Sequence, residues 1–206
     1  MMDKVNKLTG RNYHLFDYVG APDAENVVVL MGSGADAVEE TINKMNKEGH
    51  KVGLLKVRLY RPFAIDAFVD ALPKSVKKLA VLDRTKEAGS LGEPLYLDVV
   101  AALANKDIKI IGGRYGLSSK NTTPDQIYSV FKNLEGEMKN NFTIGIIDDV
   151  TNLSLPVYDY QIDLGAQEIK IFGFGSDGMV SASKDIMKIV GNGTDKYVQS
   201  YNQYDS

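Results

Sequence analysis

Val76-Lys77-Lys78-Leu79-Ala80-Val81-Leu82-Asp83, followed by Arg84-Thr85-Lys86-Glu87-Ala88-Gly89-Ser90-Leu91-Gly92-Glu93-Pro94 and a stretch to Ala104, is the passage on which the fold turns. The apolar run Leu79–Leu82 suits a strand buried on both faces. Beyond the loop, Tyr96, Val99, Val100 and Leu103 fall at i, i+3, i+4 and i+7, one face of a helix. Strand, charged loop and helix in that order form one unit of a parallel sheet. Ligands and partners of such sheets meet the loops at the carboxyl ends of the strands. Asp83, Arg84, Lys86, Glu87 and Glu93 gather at that end, so this is the most chemically equipped surface in the sequence.

Working outward, the same alternation repeats on both sides. Asn26–Met31 reads as a strand, Ala35–Lys47 as a helix stopped by Gly49, and Lys51–Tyr60 as a strand broken by Arg61-Pro62. A short helix spans Ala64–Leu72. After the central unit come a strand at Ile108–Ile111, a glycine-rich loop Gly112–Lys120, and a helix opened by the capping box Thr123-Pro124-Asp125-Gln126. Phe142–Ile147 is a further strand, ending at Asp148-Asp149. The pattern predicts an α/β fold: an open, mostly parallel five-stranded sheet with helices on both faces.

Four stretches follow. Residues 1–25 are polar and aromatic and read as a lead-in that packs on the domain without forming a strand–helix unit. Residues 26–150 are the α/β domain, 151–166 a linker without periodicity, and 167–206 a second unit. In this unit Gln167–Phe172 is expected as a strand, Gly173–Gly178 as a turn, Met179–Val190 as a helix and Asp195–Tyr201 as a last strand. One strand–helix–strand unit cannot bury its own core, so it is expected to be the truncated start of a larger domain.

Composition narrows the function. The 206 residues carry 24 Lys and Arg against 27 Asp and Glu, a net charge of −3, and no polyanion footprint; nucleic acid is not expected as a partner. The cysteine count is zero, which excludes disulfides, a thiol nucleophile and cysteine-ligated zinc or iron–sulfur clusters within this chain, and fits a cytoplasmic protein. No apolar run approaches the roughly 20 residues of a membrane helix, and the first residues lack a signal-peptide core. No membrane association is expected.

Several motifs carry two readings each. Gly173-Phe174-Gly175-Ser176-Asp177-Gly178 is a G-x-G-x-x-G between a strand and a helix, where backbone N–H groups can approach a phosphate. The competing reading is a tight βα turn with Asp177 as a helix cap. A nicotinamide site needs an acid at the end of the next strand, and Asp195 stands at its start. Gly32-Ser33-Gly34-Ala35-Asp36-Ala37 has similar spacing, but Asp36, Glu39 and Glu40 would repel a pyrophosphate, so it reads as structure. Arg114, Ser118, Ser119 and Lys120 suit either an anion or an interface. Asp83 and its neighbours could include an acid–base pair or could pair with one another. Asp148-Asp149 suits a metal or plain solvation, and His14 and His50 stand alone. No residue is assigned as catalytic or as a metal ligand.

Specific phrases nevertheless accumulate along the chain: Tyr13–Tyr18 with Gly20–Ala24, Leu59–Phe63, Ala80–Glu87 through Gly92–Asp98, Gly112–Lys120, Asn141–Ile146, Asp148–Leu155 and Gly173–Gly178. In this order they resemble pyruvate:ferredoxin (flavodoxin) oxidoreductase. The resemblance implies that residues of roughly 10–150 are that family's second domain, similar to the transketolase C-terminal domain, and that residues from about 167 open its third, gamma-type domain. It implies a whole enzyme, a homodimer, that decarboxylates pyruvate on thiamine diphosphate. Electrons would pass through [4Fe-4S] clusters to ferredoxin or flavodoxin, and the acetyl unit to coenzyme A. This chain has no thiamine-type Gly-Asp-Gly motif and no cluster cysteine, so the expectation is a non-catalytic inter-domain scaffold without a cofactor of its own, touching other domains of the same oxidoreductase. The alternative is a binding module for coenzyme A or NAD, with Gly173, Gly175, Ser176, Asp177 and Gly178 at the cofactor phosphates.

Overall fold

Alternate residues of the central strands face opposite ways into two cores, and this fixes the layering. The computed structural model describes residues 2–148, 150–163 and 165–202. The chain divides into two compact units, Met1–Ile162 and Asp163–Ser206.

In the first unit a helix α1 (Met2–Thr9) precedes six strands: β1 (Phe16–Gly20), β2 (Asn26–Met31), β3 (Val52–Val57), β4 (Lys78–Asp83), β5 (Lys109–Arg114) and β6 (Phe142–Thr143). They lie in the order β1-β3-β2-β4-β5-β6, all parallel except β1, which runs antiparallel to β3. Helices α2 (Gly34–Lys47), α3 (Ile65–Ala71), α4 (Pro94–Ala102) and α5 (Pro124–Glu135) cover the two faces. Val28, Leu30, Ala80 and Leu82 pack against α2 and α5 on one face. Val27, Val29, Leu79 and Val81 pack against α3 and α4 on the other.

The sheet therefore has six strands where the sequence predicted five. The extra one, Phe16–Gly20, comes from the stretch read as a lead-in. Phe16 is buried in the α3–α4 core, where its ring meets Phe63 and Phe68 edge-on at 5.5 and 5.3 Å. The strand lies at the sheet margin with only one residue fully buried, so no apolar run announces it.

Two further corrections concern glycines and ends. Gly112 and Gly113 belong to β5 and not to a loop. A Cβ on Gly113 would lie 2.2 Å from the Phe142 ring, so the glycine admits close packing of β6. Strand β6 stops at Thr143, well short of Ile147. The β5–α5–β6 connection passes over the face opposite to β4–α4–β5 while advancing in the same direction, so its hand is reversed relative to the usual right-handed crossover. The reason is coverage: α5 fills the part of that face, over Ala80, Leu82 and Ile111, that α2 leaves open.

Residues 153–161, in the stretch read as a linker, lie against this unit. Thr143 and the 153–155 segment exchange backbone hydrogen bonds of 3.0 and 3.1 Å. The Tyr160 ring stacks on Tyr128 at 4.3 Å, Lys44 sits 4.3 Å above it, and its hydroxyl donates to Glu48 at 2.8 Å.

In the second unit, α6 (Met179–Gly193) is the one regular element among the described residues. The strands expected at 167–172 and 195–201 do not form, and no residue of α6 is buried. A lone strand–helix–strand unit gives neither segment a ladder to satisfy its backbone groups, and an isolated pair is marginal in water. No helix in the chain is long and apolar enough to cross a membrane, among the described residues.

Candidate functional site

The carboxyl ends of β4 and β5 bring Asp83, Glu93 and Arg114 together. Asp83 closes β4 in register with Arg114 of β5. Helix α4 starts with Pro94 at N1, which has no N–H to satisfy, and its next two amides, Leu95 and Tyr96, donate to the two oxygens of Asp83 at 3.0 and 3.1 Å. Asp83 thus caps the helix from a neighbouring strand. The N-cap residue itself, Glu93, turns its side chain away and receives the Arg114 Nε–H at 2.5 Å. Arg114 Nη1 donates to the Asn141 carbonyl at 3.1 Å, and Asn140 Oδ1 accepts the Gly112 N–H at 2.7 Å.

Electrostatics follow from burial. Asp83 is 6% exposed and Glu93 fully buried. Burial pushes the Asp83 carboxyl above its ordinary value, while the Leu95 and Tyr96 amides pull it back only in part and the Glu93 and Asp98 charges add to the rise. Both Asp83 oxygens are engaged by amides, one Glu93 oxygen by Arg114, and the other, Oε2, is sealed from solvent. Between them the two carboxylates tie β4, the start of α4 and the end of β5 together.

The other expected members of the cluster lie apart from it. Lys86 and Glu87 are exposed, and Arg84 Nε donates to the Gly116 carbonyl at 3.3 Å. Tyr60, Arg61 and Asp98, quoted above only within longer phrases and not as site candidates, form a tied group. The Tyr60 hydroxyl donates to Asp98 at 2.7 Å, Arg61 pairs with Asp98 at 2.6 Å and stacks 4.0 Å above the Tyr60 ring. Burial and the Asp98 carboxylate push the Tyr60 hydroxyl up to about 12.

Gly32–Ala37 is filled by protein. The Tyr115 hydroxyl donates to the Met31 carbonyl at 3.1 Å, and a Cβ on Gly34 would lie 2.6 Å from its ring. Asp148 accepts the Val150 and Thr151 amides and the Thr151 hydroxyl, which hold its carboxyl down to about 2; Asp149 lies outside the described residues. His14 pairs with Asp17, and His50 stands edge-on to Tyr128.

Gly173, Gly175, Ser176, Asp177 and Gly178 form an exposed turn before α6. The Asp177 carboxylate accepts the N–H groups of Phe174 at 2.7 Å and Met179 at 3.1 Å, which hold its carboxyl below the usual range. These are the donors a phosphate would need. For iron–sulfur clusters the donor set does not fit at all, because the chain has no cysteine.

Fold and site together define a doubly wound α/β domain whose strand-end acids bond helix amides and an arginine of the same sheet. Residues 24–127, half of the chain, match the family model "Pyruvate:ferredoxin oxidoreductase core domain II". The chain belongs to that family. Over its whole length it is 55% identical to the pyruvate:ferredoxin oxidoreductase of Moorella thermoacetica and 51% identical to the pyruvate-flavodoxin oxidoreductase of Enterobacter agglomerans, and it spans 18% of the length of each. It is 50% identical to the pyruvate dehydrogenase [NADP(+)] of Cryptosporidium parvum, of which it spans 11%. Among solved structures, a 2-oxoglutarate:ferredoxin oxidoreductase from Magnetococcus marinus aligns with a TM-score of 0.43 at 20% identity, over 64% of this chain and 21% of that one.

Proposed function

We propose that this chain serves as a non-catalytic inter-domain scaffold of a pyruvate:ferredoxin or pyruvate:flavodoxin oxidoreductase. In that reading, residues 26–150 are the transketolase C-terminal-like domain, 151–166 a connection and 167–206 the opening of the gamma-type domain. The whole enzyme is a cytoplasmic homodimer that oxidises pyruvate to acetyl-CoA. Thiamine diphosphate, [4Fe-4S] clusters and coenzyme A belong to it, and ferredoxin or flavodoxin accepts its electrons. The observation that carries the scaffold role is the occupancy of the strand ends: Asp83 is committed to α4 and Glu93 to Arg114. A site where ligands usually meet an open sheet is instead spent on holding three loops in place.

The test is a thermal-shift titration of the 206-residue chain with thiamine diphosphate, coenzyme A and NAD, beside a pyruvate-dependent dye-reduction assay. A ligand that binds only the folded state raises the midpoint with concentration. The scaffold reading expects no saturable shift and no turnover; turnover, or a saturable shift with any of the three, overturns it.

A further inference from the structure

We propose that one internal water molecule is built into the carboxyl edge of the sheet, donating one proton to Glu93 Oε2 and the other to Asn141 Oδ1. Among the described residues, these are the two side-chain oxygens that are sealed from solvent and accept no hydrogen bond. They are not scattered. Glu93 receives the Arg114 Nε–H through its other oxygen, and Asn141 receives an Arg114 Nη1–H through its backbone carbonyl. One guanidinium therefore holds both residues that carry an orphaned acceptor. Native proteins leave few such groups, because a buried oxygen without a donor costs its full desolvation.

The backbone points to the same place. Asn141 has a φ of 56°, in the left-handed region that asparagine tolerates better than most residues. The conformation is held from both sides, by the Arg114 bond to the Asn141 carbonyl and by the full burial of the next residue, Phe142.

Chemistry selects the occupant. Water has two protons for the two acceptors and a lone pair for a guanidinium N–H, which meets the two to four polar partners of a buried water. Arg114 brings a fork of five N–H groups, of which Nε–H goes to Glu93 and one Nη1–H to Asn141. A cation fits poorly, because Arg114 already compensates Glu93 and repels a second positive charge beside it. An anion is kept out by the Glu93 carboxylate. The water then joins the start of α4 to the turn before β6 directly, where Arg114 joins them only through itself.

This inference stands apart from the scaffold reading, since ligand titration and turnover do not report on it. The first test is a crystal structure of the full chain at a resolution that shows ordered water. A peak within about 2.7–3.2 Å of both oxygens is expected. Direct contact of the Asn141 amide nitrogen with Glu93 Oε2, with nothing between them, overturns the proposal. A peak that gains anomalous scattering in rubidium chloride marks a cation and overturns it too. The second test is magnetic relaxation dispersion of the solvent, which counts long-lived internal waters. The double variant Glu93→Met with Arg114→Met leaves Asn141 as the single partner, and it is expected to hold one such water fewer than wild type. An equal count overturns the proposal. Circular dichroism melts report whether the double variant is folded; if it is not, the wild-type crystal structure decides alone.

Discussion

The Glu93 carboxylate and the Arg114 guanidinium meet at 2.5 Å with their side chains 1% and 12% exposed, and they join the start of α4 to the end of β5. Removing one member of such a pair leaves a charge without compensation in a dry setting. Arg114→Met is therefore expected to cost about 3–5 kcal/mol in urea unfolding. The double variant Arg114→Met with Glu93→Gln is expected to return part of that loss, because no buried charge remains.

Asp83 makes a prediction with a definite sign. Its folded-state carboxyl lies above the ordinary Asp value through burial, so the folded chain holds this proton more tightly than the unfolded chain. Its contribution is then fully present below the unfolded value and is lost as pH rises through the folded one. Asp83→Asn removes this titration. The stability of wild type relative to Asp83→Asn is expected to fall as pH is raised from about 4, as read from urea unfolding at a series of pH values. A difference that rises with pH over that window contradicts the assignment.

Tyr160 tests how the 153–161 segment is held. Tyr160→Ala removes a stacked ring, a cation above it and a hydroxyl bonded to Glu48, with an expected cost of about 3 kcal/mol. Tyr160→Phe keeps the stack and loses the hydroxyl, for about 1 kcal/mol. Limited proteolysis is expected to cut residues 151–162 faster in the alanine variant than in the phenylalanine one.

At the Gly173–Gly178 turn, a phosphate and the Asp177 carboxylate compete for the N–H groups of Phe174 and Met179. In titration calorimetry with coenzyme A, wild type is expected to show no saturable heat of binding, because Asp177 already takes both N–H groups. Saturable binding that Asp177→Ala weakens makes Asp177 part of a cradle and reverses this account.

The residues explain why the sequence disclosed some of this and hid the rest. Strands β2 and β4 are legible because both of their faces are buried and Val27–Met31 and Leu79–Leu82 are uninterrupted apolar runs, and β3 keeps apolar residues at every position but Gly53 and Lys56. The box at Thr123 and Gln126 is legible because it is local, and the Gln126 side chain does accept the Thr123 N–H, at 3.4 Å. Strand β1 escapes because a five-residue marginal strand carrying Asp17 has no run to show. The site is only half legible. Asp83 and Glu93 stand out beside a strand end, but the partner of Glu93 lies 21 residues on, and only the β4–β5 register brings it near. An Arg closing the next strand is the trace that a reading by register, rather than by motif, can follow. Tyr128 and Tyr160 stack without any shared period, so nothing in the spacing marks 153–161 as docked.

The reversed direction of β1 has a consequence for how the domain lives among neighbours. Sheet margins recruit foreign strands through their unpaired amides. Here one margin ends in five residues that include Asp17 and close on Gly20, and the other is the two-residue β6, whose Thr143 is already bonded on its far side by residues 153 and 155. Neither margin is the long, flat, apolar strand that most readily recruits another. Both ends of the sheet are thereby guarded against exchange of strands with whatever lies beside them.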